Sequence, residues 1–221
     1  MLVPALLSVL EMMPLPEPPA REAQRWQTVI TEEGITCRIA PAEGMRVSWG
    51  EAIGEVPSPL AQIVSHLLDF EGARKYIPRA TDVRILERSM GQALVYYRIG
   101  LPWPISDRDW VVRYRYAAHG ESGFEMSWSE RNDVGPRSDE TVRVQLARGV
   151  WQLTSTGNKT TLVRYLMLSD LGGRLPISIV SQTAWRQPLE TLKGVRKALR
   201  SVPGTQPHQE PGNSTPPTAA R

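Results

Sequence analysis

Residues 97–112, YRIGLPWPISDRDWVV, and residues 168–182, LSDLGGRLPISIVSQ, decide the fold. In the first, a strand-like run ends at Ile99 and meets Pro102 and Pro104, which have no N–H to give to a ladder. Ser106 and Asp107 favour a turn, and an apolar run resumes at Trp110. The segment reads as two strands joined by a stiff loop tipped with Trp103. In the second, a strand closes at Asp170, Gly172 and Gly173 allow backbone angles that other residues avoid, and Pro176 suits the first turn of a helix. A sheet therefore feeds directly into a helix.

That helix is predicted over residues 176–200, about 37 Å at 1.5 Å per residue, long enough to lie across a curved sheet. Leu175, Ile179, Thr183 or Ala184, Leu192, Val195 and Leu199 give it an apolar stripe, and Pro188 should bend it near the middle, with Gly194 weakening it further. Upstream, residues 26–30 and 35–39 flank Glu32-Glu33-Gly34 as a hairpin, and residues 45–56 alternate as a third strand. Pro57-Ser58-Pro59 breaks that strand, after which Leu60, Ile63, Val64, Leu67 and Leu68 recur at helical spacing up to Asp69. Strands follow at 83–86, 93–99, 110–116, 124–129, 142–153 and 160–168, separated by turn-forming residues, which predicts sequential antiparallel pairing.

The bulk numbers fit one domain with tails. The chain has 221 residues, 41% hydrophobic and 22% charged, with a net charge of +3 spread among interleaved acids and bases. A nearly balanced surface argues against nucleic acid as a partner and is compatible with brief contact with an anionic membrane surface. Residues 1–21 read as a flexible leader or the remnant of a signal peptide, short of Lys and Arg before Arg21. Residues 22–201 form the domain, and residues 202–221 read as a disordered tail of Pro, Gly, Thr and Gln. A cytoplasmic location is favoured, with a secreted or periplasmic one if the leader is a signal remnant. Cys37 is the only cysteine, so no intrachain disulfide is available.

Catalytic chemistry lacks candidates. His66, His119 and His208 share no ligand spacing, no GxSxG or phosphate-loop motif occurs, and Cys37 has no local partner. No metal, cofactor or catalytic residue is predicted. Asp107 and Asp109 read better as a turn cap and a structural tie than as an acid–base pair. Seven tryptophans against two phenylalanines point to core, to pocket walls or to membrane-interface anchors. Core or wall is the reading for Trp26, Trp49, Trp128 and Trp151. Trp103, held between two prolines in a loop, is set apart from these.

The two organising stretches resemble the START family of lipid-transfer domains. The resemblance rests on the Pro102-Trp103-Pro104 loop followed by Arg108-Asp109-Trp110, and on Asp170, Gly173, Leu175 and Pro176 opening the last helix, and it spans residues 26–199. It implies an α+β helix-grip fold: a curved antiparallel sheet wrapped around a long C-terminal helix, with an internal apolar cavity. It implies a lipid or other apolar small molecule as ligand, sterol-like or acyl, bound for transfer or sensing. Tyr97, Trp110, Tyr114, Ile179 and Thr183 would form the wall, and the Trp103 loop with the bent helix the gate. Sterol-type members carry an acidic residue at the start of the fourth strand, matched by Asp82, a possible contact for a polar head. They also carry a buried arginine, and that position is Tyr114 here, with Arg113 and Arg115 turned to the other face by strand alternation. Tyr114 suits a hydroxyl or carbonyl better than a phosphodiester. The alternatives are a polyketide aromatase or cyclase using the same cavity, and a protein-interaction module with a small cavity and an exposed apolar patch.

Overall fold

Strand alternation and one long amphipathic helix generate the architecture. The computed structural model describes residues 25–173, 175 and 177–200, the backbone alone at 177–181. The leader, the tail and Pro176 lie outside the described residues. In chain order the strands are β1 (Gln27–Glu32), β2 (Ile35–Pro41), β3 (Ser48–Val56), β4 (Ala80–Ser89), β5 (Gln92–Ile99), β6 (Asp107–His119), β7 (Gly123–Glu130), β8 (Thr141–Arg143), β9 (Leu146–Gly157) and β10 (Thr160–Asp170). Helix α1 (Leu60–Leu68) and a 3-10 turn (Glu71–Lys75) separate β3 from β4, and α2 (Ile177–Arg200) closes the domain. This is the helix-grip arrangement that the sequence implies.

Two features depart from simple sequential pairing. The sheet order is β1-β2-β3-β10-β9-β7-β6-β5-β4, so β3 pairs with β10 rather than with β4, and α1 carries the chain to the far edge. The single strand expected at 142–153 is two. Arg143 forms a two-pronged ion pair with Asp109 at 3.0 and 2.9 Å, and Val144 donates to the Asp109 carbonyl, which pulls β8 alongside β6 in parallel before β9 begins. Asp109 is buried in doing so and Arg143 largely covered.

The concave face carries the main core. Val95 and Tyr97 of β5, Val112 and Tyr114 of β6, Trp151 and Leu153 of β9, and Val163 and Tyr165 of β10 face Leu189, Leu192, Val195 and Leu199 of α2. The period of two along each strand meets the period of 3.6 along the helix there. Trp49, Leu166 and Leu168 instead build a second cluster on the convex face, with Trp26 packed against it.

Helix α2 does not sit centrally on the sheet. At Gly50 of β3 a side-chain carbon would fall 1.5 Å from the Ala184 carbonyl oxygen, so the helix backbone rides directly on that strand. At Gly194 the equivalent carbon would lie 2.8 Å from the Tyr76 backbone. Arg196 donates from Nε to the Glu55 carbonyl at 2.9 Å and from Nη1 to the Glu33 carbonyl at 2.6 Å, and Lys193 pairs with Glu32 at 2.6 Å. These contacts bolt the helix to the β1–β3 side. The space left under it therefore lies toward β5 and β6.

Candidate functional site

Aromatic side chains from consecutive inward positions fill that space. Tyr97 stacks on Trp110 with ring centres 5.4 Å apart, and Tyr114 tilts against Phe70 at 4.7 Å and Trp128 at 5.9 Å. Trp128 stacks on Tyr165 at 5.5 Å, and Tyr165 meets Trp151 at 4.1 Å. The Trp128 indole lies over Gly149, where a side-chain carbon would be 2.3 Å from the ring, so the glycine makes room for it. What these rings leave open is an enclosed cavity of about 50 Å³. The rings pack into one another along the slot and leave little free space between them.

A second pocket, open to solvent and about 530 Å³, lies between the Pro102 loop and the first half of α2. Leu101, Pro102 and Ile105 line one side, and Thr183, Gln187 and Glu190 the other. Ile99, Leu171 and Gln187 line both spaces, so the two pockets adjoin. Arg79 and Arg186 stand at the open pocket as well.

The loop that borders this mouth is held by short polar ties. Leu101 N–H donates to Asp107 at 3.3 Å, Ile105 N–H to the Pro102 carbonyl at 2.9 Å, and the Trp103–Pro104 bond is cis. Arg98 holds Asp107 at 2.9 Å. Arg108, itself buried, donates to the carbonyls of Ser106, Leu171 (3.0 Å) and Gly172 (3.4 Å). One guanidinium thus joins the loop before β6 to the segment that enters α2. The Arg108-Asp109 pair is structural: each residue ties a different neighbour.

The residues singled out in the sequence separate into groups. Tyr97, Trp110 and Tyr114 line the enclosed cavity, and Thr183 lines the open pocket. Trp103 is 93% exposed at the loop tip, while its neighbour Pro102 faces the pocket. The Ile179 side chain lies outside the described residues. Asp82 lines neither space. It sits on the face of β4 opposite buried Val83, and Arg84 at 2.5 Å and Arg74 at 3.1 Å hold its carboxyl below the usual carboxylate range. Sequence reasoning missed Tyr165, Gln187 and Thr191. Tyr165 alternates in step with Val163 and Met167, and Gln187 and Thr191 are four residues apart on one helix face, so both signals were present.

Tyrosine hydroxyls, together with Ser169, Gln187 and Thr191, supply polar groups to the interior. Tyr97 and Tyr114 share a buried hydroxyl–hydroxyl hydrogen bond of 3.0 Å. Burial pushes both hydroxyls well above the ordinary tyrosine range, with neighbouring Tyr114 adding to the effect on Tyr97. Burial does the same to Tyr165 and Tyr76. All four stay neutral. Among the described residues no group of three or more His, Cys, Asp or Glu could hold a metal ion, and no helix is long and apolar enough to cross a membrane.

Comparison with known proteins agrees with this geometry. The family model described as START domain matches residues 14–205. An uncharacterized protein of Pseudomonas aeruginosa is 24% identical over 176 residues, 80% of this chain and 87% of the relative. The structure of a STAR-related lipid transfer protein fragment from Xanthomonas axonopodis is 25% identical, with a TM-score of 0.74 over 80% of this chain and 99% of that one. The Zhui aromatase/cyclase of a Streptomyces species is more distant, 16% identical with a TM-score of 0.52 over 69% of this chain and 93% of that one, and shares the fold alone.

Proposed function

We propose that this chain, which belongs to the START domain family, takes up one apolar ligand, a sterol-like or acyl lipid, between its sheet and last helix, and carries or senses it. The observation behind this reading is an open pocket of about 530 Å³, within the roughly 300–1,000 Å³ of small-molecule sites, that adjoins an interior walled by aromatic rings, the path a ligand would take. An aliphatic chain threaded along that path gains about 0.8 kcal/mol per methylene buried. With an enclosed space of only about 50 Å³, entry requires the rings to move aside. Trp103, a rigid indole at an exposed loop tip beside that pocket, suits brief insertion at a membrane interface during exchange.

The cyclase reading has less support. The residues lining the enclosed cavity include no His, Asp or Glu, and its tyrosines hold their protons at neutral pH. An orienting surface is present, but no group able to take a proton.

Native mass spectrometry of protein incubated with vesicles of mixed membrane lipids tests the proposal, together with transfer of a fluorescent lipid between vesicles. One lipid-mass adduct per chain is expected, and transfer by Trp103→Ala should be slower at unchanged adduct stoichiometry. Absence of any adduct together with absence of transfer would overturn the reading.

A further inference from the structure

The enclosed cavity is lined by hydroxyls whose bonding is incomplete. Thr191 is 1% exposed, lines that cavity, and its Oγ1 has no hydrogen-bond partner. A helical threonine commonly satisfies itself on a carbonyl one turn back, and a buried hydroxyl left unmet costs about 1–3 kcal/mol. In the lining of the same cavity, Tyr97 and Tyr114 have two O–H groups between them and use only one in their mutual bond. The interior therefore offers O–H donors and oxygen acceptors, and no charge to pair with. Among the described residues the one charged lining residue is Arg148, which pairs through Nη2 with Glu130 at 2.5 Å, keeps its Nε unpartnered, and alternates away from Ala147 and Trp151 onto the convex face.

Building on the carrier reading, we infer that the deep end of the site recognises a neutral oxygen function, a single hydroxyl or carbonyl, held between Thr191 and the Tyr97–Tyr114 pair. The preferred ligand is an uncharged, oxygenated apolar molecule such as a long-chain or polycyclic alcohol or ketone. A carboxylate or phosphodiester placed there would lose its hydration without meeting a counter-charge. Such heads are confined to the open pocket near Arg79 and Arg186, where they gain nothing from the deep hydroxyls.

Chain-matched probes carried on cyclodextrin separate the possibilities: tetradecanol, tetradecane, the tetradecanoate anion and myristoyl lysophosphatidylcholine. Emission of Trp110, Trp128 and Trp151, which line the cavity, reports binding. Tetradecanol should bind about tenfold more tightly than the other three, the yield of one well-made hydrogen bond. Thr191→Val and Tyr114→Phe should each remove most of that preference, read as the ratio of tetradecanol to tetradecane affinity within each variant, and Thr191→Ser should retain it. If all four probes bind equally, or the charged ones bind best, the deep anchor is refuted and the carrier reading survives. If none binds, both fall.

Discussion

Gly50→Ala tests the packing that sets where the site lies. A methyl carbon at Gly50 would stand 1.5 Å from the Ala184 carbonyl oxygen and 2.6 Å from its carbon, whereas separations under 3.0 Å are essentially never tolerated. The helix would have to retreat from β3 by at least the difference between 1.5 and 3.0 Å. It cannot do so freely, because Arg196 is bonded to the carbonyls of Glu55 and Glu33, and Gly194 lies against the Tyr76 backbone. Overpacking of this kind costs about 3 kcal/mol, the upper end of the usual range. Divided by a denaturant slope of roughly 2 kcal/mol per molar urea, the unfolding midpoint should fall by about 1.5 M. Gly157→Ala supplies the control. Its nearest neighbour is the Thr160 hydroxyl at 3.2 Å, so its effect should stay within about 0.5 kcal/mol. Urea unfolding followed by tryptophan emission measures both. A Gly50→Ala midpoint within about 0.3 M of the parent would show that α2 does not ride on β3 as described, and the location of the open pocket would lose its explanation.

Two further measurements address buried titratable groups. Burial holds the His66 pKa below its ordinary 6.5, and its Nε2 is buried without a partner beside Tyr76. The unfolded chain then binds the proton more readily, so stability rises with pH from the folded-state pKa up to about 6.5 and is lost as pH falls through that window. Chemical unfolding between about pH 5 and pH 7 should give a shallower slope for His66→Gln than for the parent, and equal slopes would contradict this. Cys37 is fully buried, and burial with the nearby Glu32 charge pushes its thiol up to about 11. A thiol reagent at mildly alkaline pH should label it only after unfolding. Rapid stoichiometric labelling of the native chain would show that β2 opens far more readily than its burial implies.

How much of this was legible in the sequence depended on range. The Glu32–Gly34 hairpin was readable because its turn chemistry is local, and Glu33 and Gly34 do adopt positive φ of 51° and 68°. Tyr97, Trp110 and Tyr114 were readable because a period of two assigns each to a face. Neighbours in space were harder. Nothing local says that β3 pairs with β10, or that Arg143 leaves its own strand run to reach Asp109 across 34 positions. Asp82 was placed by resemblance against its own alternation, which sets it opposite Val83. Gly50 and Gly149 carry no local signal of their role, which emerges only once Ala184 and Trp128 are known to lie on them. The spacing of the walls was out of reach for a related reason: residue type fixes that a wall is aromatic, but not whether facing rings stand apart or stack.

The stacking has a consequence for how a ligand could enter. The second half of α2 is held by Arg196, Lys193 and Gly194, while the open pocket is bordered by Gln182, Thr183, Arg186 and Gln187 before Pro188 and by Glu190 just after it. Proline at that position supplies no N–H to the turn before it, so the two halves are the less strongly coupled. Arg108 joins the loop at 106 to residues 171 and 172, so loop and helix entrance are bound to move as one. A guest that widens the slot must therefore work against the seat of Ala184 on Gly50 as well as the Arg196 and Lys193 ties, and it must move the loop and the helix entrance that Arg108 joins. Its apparent affinity is its intrinsic affinity scaled by the fraction of molecules already widened. A contact made only deep in the slot, such as one to Thr191, is realised only in that widened fraction. Selectivity at the deep hydroxyls and the ease of opening at the mouth are then separable: substitutions at Thr191 change which ligand is preferred, and substitutions at Arg108 change how tightly every ligand is held.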